Sequence, residues 1–503
     1  MPNPLYDTLF APGRDSDRTF LTDAGGQALS YRDFHALAAR QANALASAGL
    51  VPGDRLAVQV EKTPEALALY AACVMAGIVF LPLNTAYTLS ELDYFITDSG
   101  ARAVVCGPEI AADLKARSAA GISVLTLDAE GRGSLADLAA SQSSTFGVAE
   151  RADSDLAALL YTSGTTGRSK GAMLSHSNLL SNARTLADLW RFDSSDVLLH
   201  ALPIFHTHGL FVACNVTLIA QASLIFLPKF DLATMMRMLP QASVLMGVPT
   251  FYTRLLGAAA FTRDLVAHMR LFISGSAPLL AETHLEFEAR TGHRILERYG
   301  MTETNMSVSN PYDGERRAGT VGFPLPDVEL LITDPESGTI LSAGETGMIE
   351  VRGPNVFRGY WGMPEKTKAE LRENGFFITG DIGRVDEDGY VHIVGRAKDL
   401  IISGGLNIYP KEIEMLLDEQ TGVLESAVVG VPHPDFGEAV LAFIVARPGQ
   451  SPDTKAIAEA ASTNLARFKQ PRDIILLDEL PRNTMGKVQK AALRERYKNR
   501  YVE

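Results

Sequence analysis

Between Tyr161 and Gly171 the chain reads YTSGTTGRSKG. Five Ser/Thr hydroxyls (Thr162, Ser163, Thr165, Thr166, Ser169), three glycines (Gly164, Gly167, Gly171) and Lys170 crowd into it, without one aliphatic side chain. Such a stretch has nothing to put into a core. Glycines let the backbone turn its N–H groups toward one point, hydroxyls donate to oxygen, and lysine adds a positive charge, so the natural guest is a polyphosphate. A solvated Ser/Gly linker has a similar composition, but a linker needs no lysine and is rarely flanked by apolar strands. The loop is not of the Walker A type, because the sixth position counted from Gly164 is Ser169 and a strand, not a helix, is expected next.

Other polar groups have matching chemistry. In ERYGMTE (Glu297–Glu303), Tyr299 is an aromatic beside Gly300 that can stack on a base, and Thr302 with Glu303 pairs a hydroxyl with a hard carboxylate suited to Mg²⁺ and phosphate. Alone, Tyr299 reads more readily as a core aromatic and Glu303 as a solvated charge. Asp381 in TGD can accept hydrogen bonds from two ribose hydroxyls, or cap a turn. Lys487 lies in the polar loop PRNTMGK, where a lone lysine is ordinarily a solvated charge.

The elements that must position these groups alternate. Ser30 caps an expected helix reaching to Gly49, Leu56–Val60 reads as a strand, Thr63 and Pro64 open a helix ended by Gly77, and Ile78–Leu83 is a fully apolar strand. A helix (Ser90–Ser99) and a strand (Ala103–Cys106) follow. Strands separated by helices imply parallel pairing and an α/β fold. Leu156–Tyr161 delivers the phosphate loop, Ala172–Leu174 leaves it, and only then comes a helix with Leu179, Ala183, Leu186 and Trp190 on one face. Beyond the charged junction GRAKD (Gly395–Asp399) the pattern becomes a smaller α+β unit. The expected organisation is a large multi-layer N-terminal domain with mainly parallel sheets, residues 1–397, and a small C-terminal domain on a hinge, residues 398–503.

With 46 basic and 59 acidic residues the net charge is −13, which argues against a general nucleic-acid or anionic-membrane binder. Cys73, Cys106 and Cys214 are far apart and show no disulfide or CxxC pattern, the N-terminus has no secretory pattern, and the expected location is the cytoplasm. Two uncharged stretches, Ala66–Leu83 and Leu210–Pro228, are long enough for a membrane span. Gly77 and Pro82 break the first, and Asn215, Thr217, Gln221 and Ser223 interrupt the second.

The motifs YTSGTTGRSKG, GSAPL (Gly275–Leu279), ERYGMTE, TGD, GRAKD and PRNTMGK stand in the order and spacing of the acyl-adenylate-forming enzymes, and the chain resembles that superfamily over nearly its whole length. The resemblance implies two steps with ATP, Mg²⁺ and CoA: a carboxylate attacks the α-phosphate to give an acyl-adenylate and pyrophosphate, then a thiol displaces AMP. It places Thr162, Ser163, Gly164, Thr165, Thr166, Gly167 and Lys170 at the β- and γ-phosphates. Gly275, Ser276, Ala277 and Pro278 become a wall beside adenine, Tyr299 its stacking partner within Glu297–Met301, Thr302 a phosphate contact and Glu303 the magnesium ligand. Asp381 and Arg396 fall to ribose. Lys487 becomes the residue that stabilises charge on the α-phosphate and attacking oxygen. Lys398 becomes the hinge, and rotation about it removes Lys487 and brings Ser403, Gly404 and Gly405 toward the thiol channel. Acetylation of Lys487 by a lysine acetyltransferase, reversed by a deacetylase, would cancel its charge.

The acyl pocket is expected from PIFHTHG (Pro203–Gly209), VPTFYTR (Val248–Arg254) and the residue before Tyr299. That residue is Arg298. An arginine there suits a substrate with a second negative charge, with Arg254 completing a clamp; either could instead pair with a carboxylate such as Glu297 or Glu303. The run from Glu297 to Gly322 resembles malonyl-CoA synthetases, so the expected substrate is malonate, with methylmalonate as a second. A monocarboxylate ligase and an adenylating enzyme that loads a carrier protein in trans are the rival readings. No acid–base histidine is needed, because malonate is already ionised at neutral pH. His206 then reads as a pocket wall or gate and His208 as structural.

Overall fold

The computed structural model describes residues 2–117, 122–162, 169–403, 406–483 and 486–501. Contacts within the chain gather it into two units, residues 1–329 with 351–377, and residues 330–350 with 378–503.

Local signals in the first unit act as the sequence leads one to expect. The Ser30 side chain accepts from the Asp33 N–H at the start of helix Tyr31–Ser47, and Thr63 accepts from the Ala66 N–H at the start of Pro64–Ala76. Gly77 ends that helix in the left-handed region, φ 67°, where a Cβ would be strained. The first long uncharged stretch is this buried helix followed by strand Val79–Pro82, and the second is the helical run His208–Ile219 followed by strand Ser223–Phe226. Among the described residues no helix is long and apolar enough to cross a membrane.

Two sheets organise this unit. One has six strands: Ser123–Thr126, Ala103–Cys106, Arg55–Gln59, Val79–Pro82, Leu156–Thr162 and Lys170–Ser175 in spatial order. All pairs are parallel except the last, which forms the two arms of the phosphate loop. The other sheet has nine strands. Its parallel centre runs Leu296–Met301, Leu271–Ser274, Val244–Gly247, Val197–His200, Ser223–Phe226, Thr19–Asp23, and antiparallel strands close both edges. Short, wholly buried strands such as Leu271–Ser274 are what burial on both faces of a parallel sheet requires. Their carboxyl ends deliver His200, Gly247 and Ser274 to one edge, level with Glu297 near the start of Leu296–Met301.

The second unit holds a four-stranded sheet and a five-stranded one. In the latter, Val423–His433 and Gly437–Ala446 pair antiparallel, and alternation sends successive residues to opposite faces. Val428, Val440, Ala442 and Ile444 pack with Ile413 and Leu417 on one side; Ala427, Val429, Leu441 and Phe443 pack with Leu480 and Leu493 on the other. Both faces are covered, so the apolar run 439–445 reads as continuous. Near the C-terminus, Lys490 pairs with Glu414, Arg494 with Asp399 and Arg500 with Asp473 inside this unit.

Candidate active site

The arms of the phosphate loop lie in register, Thr162 opposite Lys170. Ser163, Gly164, Thr165, Thr166 and Gly167 lie outside the described residues. The Tyr94 hydroxyl donates to the Ser169 carbonyl at 2.7 Å and fixes the exit of the loop. A backbone segment then pairs with the exit strand: the Met173 N–H donates to the Gly359 carbonyl and the Trp361 N–H to that of Gly171. Tyr360 is thereby carried under Lys170. The Lys170 ammonium lies 4.2 Å from the Tyr360 ring centroid, 3.2 Å from its hydroxyl and 3.3 Å from Glu370 Oε2. The same hydroxyl is 2.6 Å from Glu370 Oε2 and 3.0 Å from Glu303 Oε1. Glu303, only 4% exposed, and Lys170 are thus joined through one phenol.

Thr302 and Glu303 occupy the turn between strands Leu296–Met301 and Asn305–Ser309. A bulge at Tyr299/Gly300 re-aims the strand just before that turn, and Tyr299, Gly300 and Met301 are part-exposed there. Glu297, in the same strand, accepts from the Leu279 N–H at 3.2 Å. That bond ties the segment Gly275–Pro278 to the strand, and Ser276 within it has φ 70°.

Arg298 is 3% exposed, and its Nε and Nη2 have no hydrogen-bond partner among the described residues. Its guanidinium lies flat on Gly275, where a Cβ would fall 2.3 Å from Cζ. His208 is buried beside it, with Nδ1 3.1 Å from Ser276 Oγ and Nε2 unpartnered among the described residues. Burial, then the positive Arg298, hold the His208 imidazole far below its ordinary pKa, so it is neutral. Burial pushes the Arg298 guanidinium down to about 9, with Tyr252 and Glu297 drawing it back up, and it remains a cation at neutral pH. A buried cation whose donors lack partners among the described residues, beside a neutral imidazole, has the chemistry to accept a carboxylate.

His206 is half-buried, and its Nδ1 accepts from the His208 N–H at 3.3 Å. Arg254 is exposed, its guanidinium 5.5 Å from the Phe230 ring centroid. Both Tyr252 and Arg254 ride helix Pro249–Leu256, and two residues of helix, about 200°, turn Arg254 away from the face by which Tyr252 reaches the Ile273 carbonyl. Gly275→Ala is expected to displace the Arg298 guanidinium and raise KM for an acidic acyl substrate about tenfold or more, while KM for ATP changes less; steady-state kinetics against each substrate checks it.

In the second unit Asp381, 3% exposed, sits opposite Arg396 across the antiparallel pair Phe377–Val385 and Val391–Arg396, with Arg396 Nε 2.6 Å from Asp381 Oδ1. The Thr379 hydroxyl accepts from the Asp381 N–H and donates to the Ile349 carbonyl, which fixes the strand carrying the carboxylate. Lys398 is exposed, and the desolvation of its ammonium lowers its pKa. Ser403 ends strand Ile401–Ser403; Gly404 and Gly405 lie outside the described residues. The exposed Lys487 closes a tight loop: its N–H donates to Asn483 Oδ1 at 2.9 Å and its carbonyl accepts from the Asn483 N–H at 2.9 Å.

The profile of the AMP-binding enzymes matches residues 11–361, and that of the AMP-binding enzyme C-terminal domain matches residues 412–487. The chain belongs to the AMP-binding enzyme family. It is 36% identical to a malonate–CoA ligase of Arabidopsis thaliana over 90% of this chain and 79% of the relative. It is also 36% identical to a feruloyl-CoA synthase of an Amycolatopsis species, over 94% and 95%. Among solved structures, ATP-bound MatB of Rhodopseudomonas palustris superposes with TM-score 0.97 at 58% identity, covering 100% of both chains.

Within this AMP-binding enzyme, sequence reasoning passed over Tyr360 and Glu370, which hold Lys170 and Glu303. It also left unpaired His208 and Ser276, which the fold brings together from 68 residues apart. The one local signal for Tyr360 is an aromatic beside a glycine, as at Tyr299, but without a neighbouring polar motif.

Proposed function

We propose that this AMP-binding enzyme is an ATP-dependent malonyl-CoA synthetase, converting malonate, ATP and CoA to malonyl-CoA, AMP and diphosphate through malonyl-adenylate. The observation that carries the substrate is Arg298, a buried cation with two donor atoms unpartnered among the described residues. A malonate ligase and a feruloyl-CoA synthase are equally identical at 36%, MatB stands well above both at 58%, and a planar aryl acid gives that guanidinium no counter-charge. Malonate has two carboxylates, one to be activated and one for Arg298. A bovine mitochondrial malonate–CoA ligase, 34% identical over 84% of this chain, points the same way. Methylmalonate, one methyl larger, is the expected second substrate.

In the first step a malonate oxygen attacks the α-phosphorus and the α–β bridging bond breaks, releasing pyrophosphate. Lys487 stabilises charge on the α-phosphate, and Lys170 with the loop 162–167 grips the phosphates that leave. Tyr299 stacks on adenine, Gly275–Pro278 lies beside it, and Asp381 with Arg396 holds the ribose. Thr302 and Glu303 offer the hydroxyl and carboxylate oxygens that Mg²⁺ favours. Magnesium in such sites is ordinarily held by one or two carboxylates together with substrate phosphates, and Glu303 is the carboxylate offered here. Bound there, Mg²⁺ supplies neutralisation of phosphate charge. In the second step the CoA thiolate attacks the acyl carbon and AMP leaves. Between the steps the chain from Lys398 onward turns, exchanging Lys487 for Ser403–Gly405.

Pyrophosphate release with ATP, Mg²⁺ and a panel of acids, with and without CoA, tests the reading. Malonate should give the highest kcat/KM, methylmalonate the next, and acetate or ferulate at least tenfold less. Turnover of acetate with malonate inert would remove the assignment in favour of a monocarboxylate ligase.

A further inference from the structure

Lys170 sits in a socket that phosphate alone does not explain. Its ammonium and the Glu370 carboxylate are mostly buried, 16% and 23% exposed, at 3.3 Å. The Tyr360 phenol has one proton and two carboxylate neighbours, and the nearer, Glu370 at 2.6 Å, is its acceptor. Its oxygen accepts from Lys170 at 3.2 Å, and Glu303 Oε1, 3.0 Å away, is the alternative acceptor of its one proton. Glu370 closes the short helix Pro364–Glu370, where Lys366 one turn earlier is 2.6 Å from its other oxygen. That second cation matters, because Glu370 stays paired when Lys170 departs.

We propose that Glu370 is the counter-ion that competes with the β- and γ-phosphates of ATP for Lys170, with Tyr360 as the positioning residue that holds the two together. This rests on the reading of Lys170 as a phosphate-binding residue. Binding of MgATP exchanges a carboxylate for phosphate at the Lys170 ammonium, and pyrophosphate departure reverses the exchange. Part of the affinity for ATP is spent breaking the Lys170–Glu370 pair, and re-forming that pair assists release of pyrophosphate. Neither Glu370 nor Tyr360 needs to touch the nucleotide.

The test is calorimetric titration of MgATP into the full chain without malonate or CoA, so that no turnover occurs. Glu370→Gln should tighten MgATP about 3–10-fold, tighten pyrophosphate by a similar factor, and leave KM for malonate within twofold. Any acidic residue near phosphates repels them, so the deciding measurement is the cycle with Lys170→Met. In that background Glu370→Gln should change MgATP affinity less than twofold. Unchanged or weaker ATP binding in Glu370→Gln, or equal tightening with and without Lys170, would overturn the proposal. If Lys170→Met alone leaves ATP affinity intact, the phosphate role of Lys170 fails and the competition with it. If Lys170→Met weakens ATP binding while Glu370→Gln has no effect, only the competition fails.

Discussion

Replacing Lys487 with alanine is expected to lower malonyl-adenylate formation about 10²–10³-fold, while thioester formation from supplied malonyl-adenylate and CoA stays within a few-fold of the parent. The split follows from the charge each step develops. Attack at the α-phosphorus brings two anions together, and a fixed ammonium lowers that barrier; displacement of AMP by a thiolate makes its charge elsewhere. Folding does not confound the measurement, because the Lys487 side chain is exposed and truncating it removes no core contact. The loop around it gives a graded control. Asn483 brackets Lys487 through two backbone-directed bonds, so Asn483→Ala should lower the adenylation step alone and by a smaller factor. Pyrophosphate release assayed against thiolysis of synthetic adenylate separates the two steps, and equal loss in both would show that Lys487 does not act on the adenylation step alone.

Lys487, Lys170 and Glu303 stand out in the sequence because their loops concentrate polar residues where a core would want apolar ones. The caps at Ser30 and Thr63 and the stop at Gly77 were readable for a related reason: each depends on two or three neighbours in sequence. Sheet order was readable only as parallel, since nothing local says that Val197–His200 lies between Val244–Gly247 and Ser223–Phe226. The partners of the site were hidden by distance along the chain. Glu303 and Tyr360 are 57 residues apart, Lys170 and Glu370 200, and no periodicity links such pairs. Arg254 shows a different limit. The motif places it in the same pocket segment as Tyr252, but helical geometry turns it toward Phe230. Likewise, the composition change near Lys398 is local, whereas contacts gather residues 330–350 and 378–397 with the chain that follows.

Arg298 is where specificity is most exposed to experiment. Arg298→Met keeps much of the side chain's bulk and removes its charge, and kcat/KM for malonate should fall about 10²–10³-fold, as expected when two charge-assisted hydrogen bonds of about 1.5–3 kcal/mol each are lost in part. Acetate has no second carboxylate to lose, so its kcat/KM should hold or rise; the malonate-to-acetate ratio is the measurement. Arg298→Lys keeps the charge but not the planar fork, and should recover only part of the ratio. A folding defect predicts a different pattern. Arg298 rests on Gly275 and borders His208, and collapse of that packing would depress both acids and ATP binding together. The variant carries one advantage for the fold: a buried guanidinium with unused donors costs stability that an apolar side chain does not. Arg298→Met should therefore unfold at a temperature equal to or above that of the parent while losing malonate. A residue retained for stability would give the opposite result in both measurements.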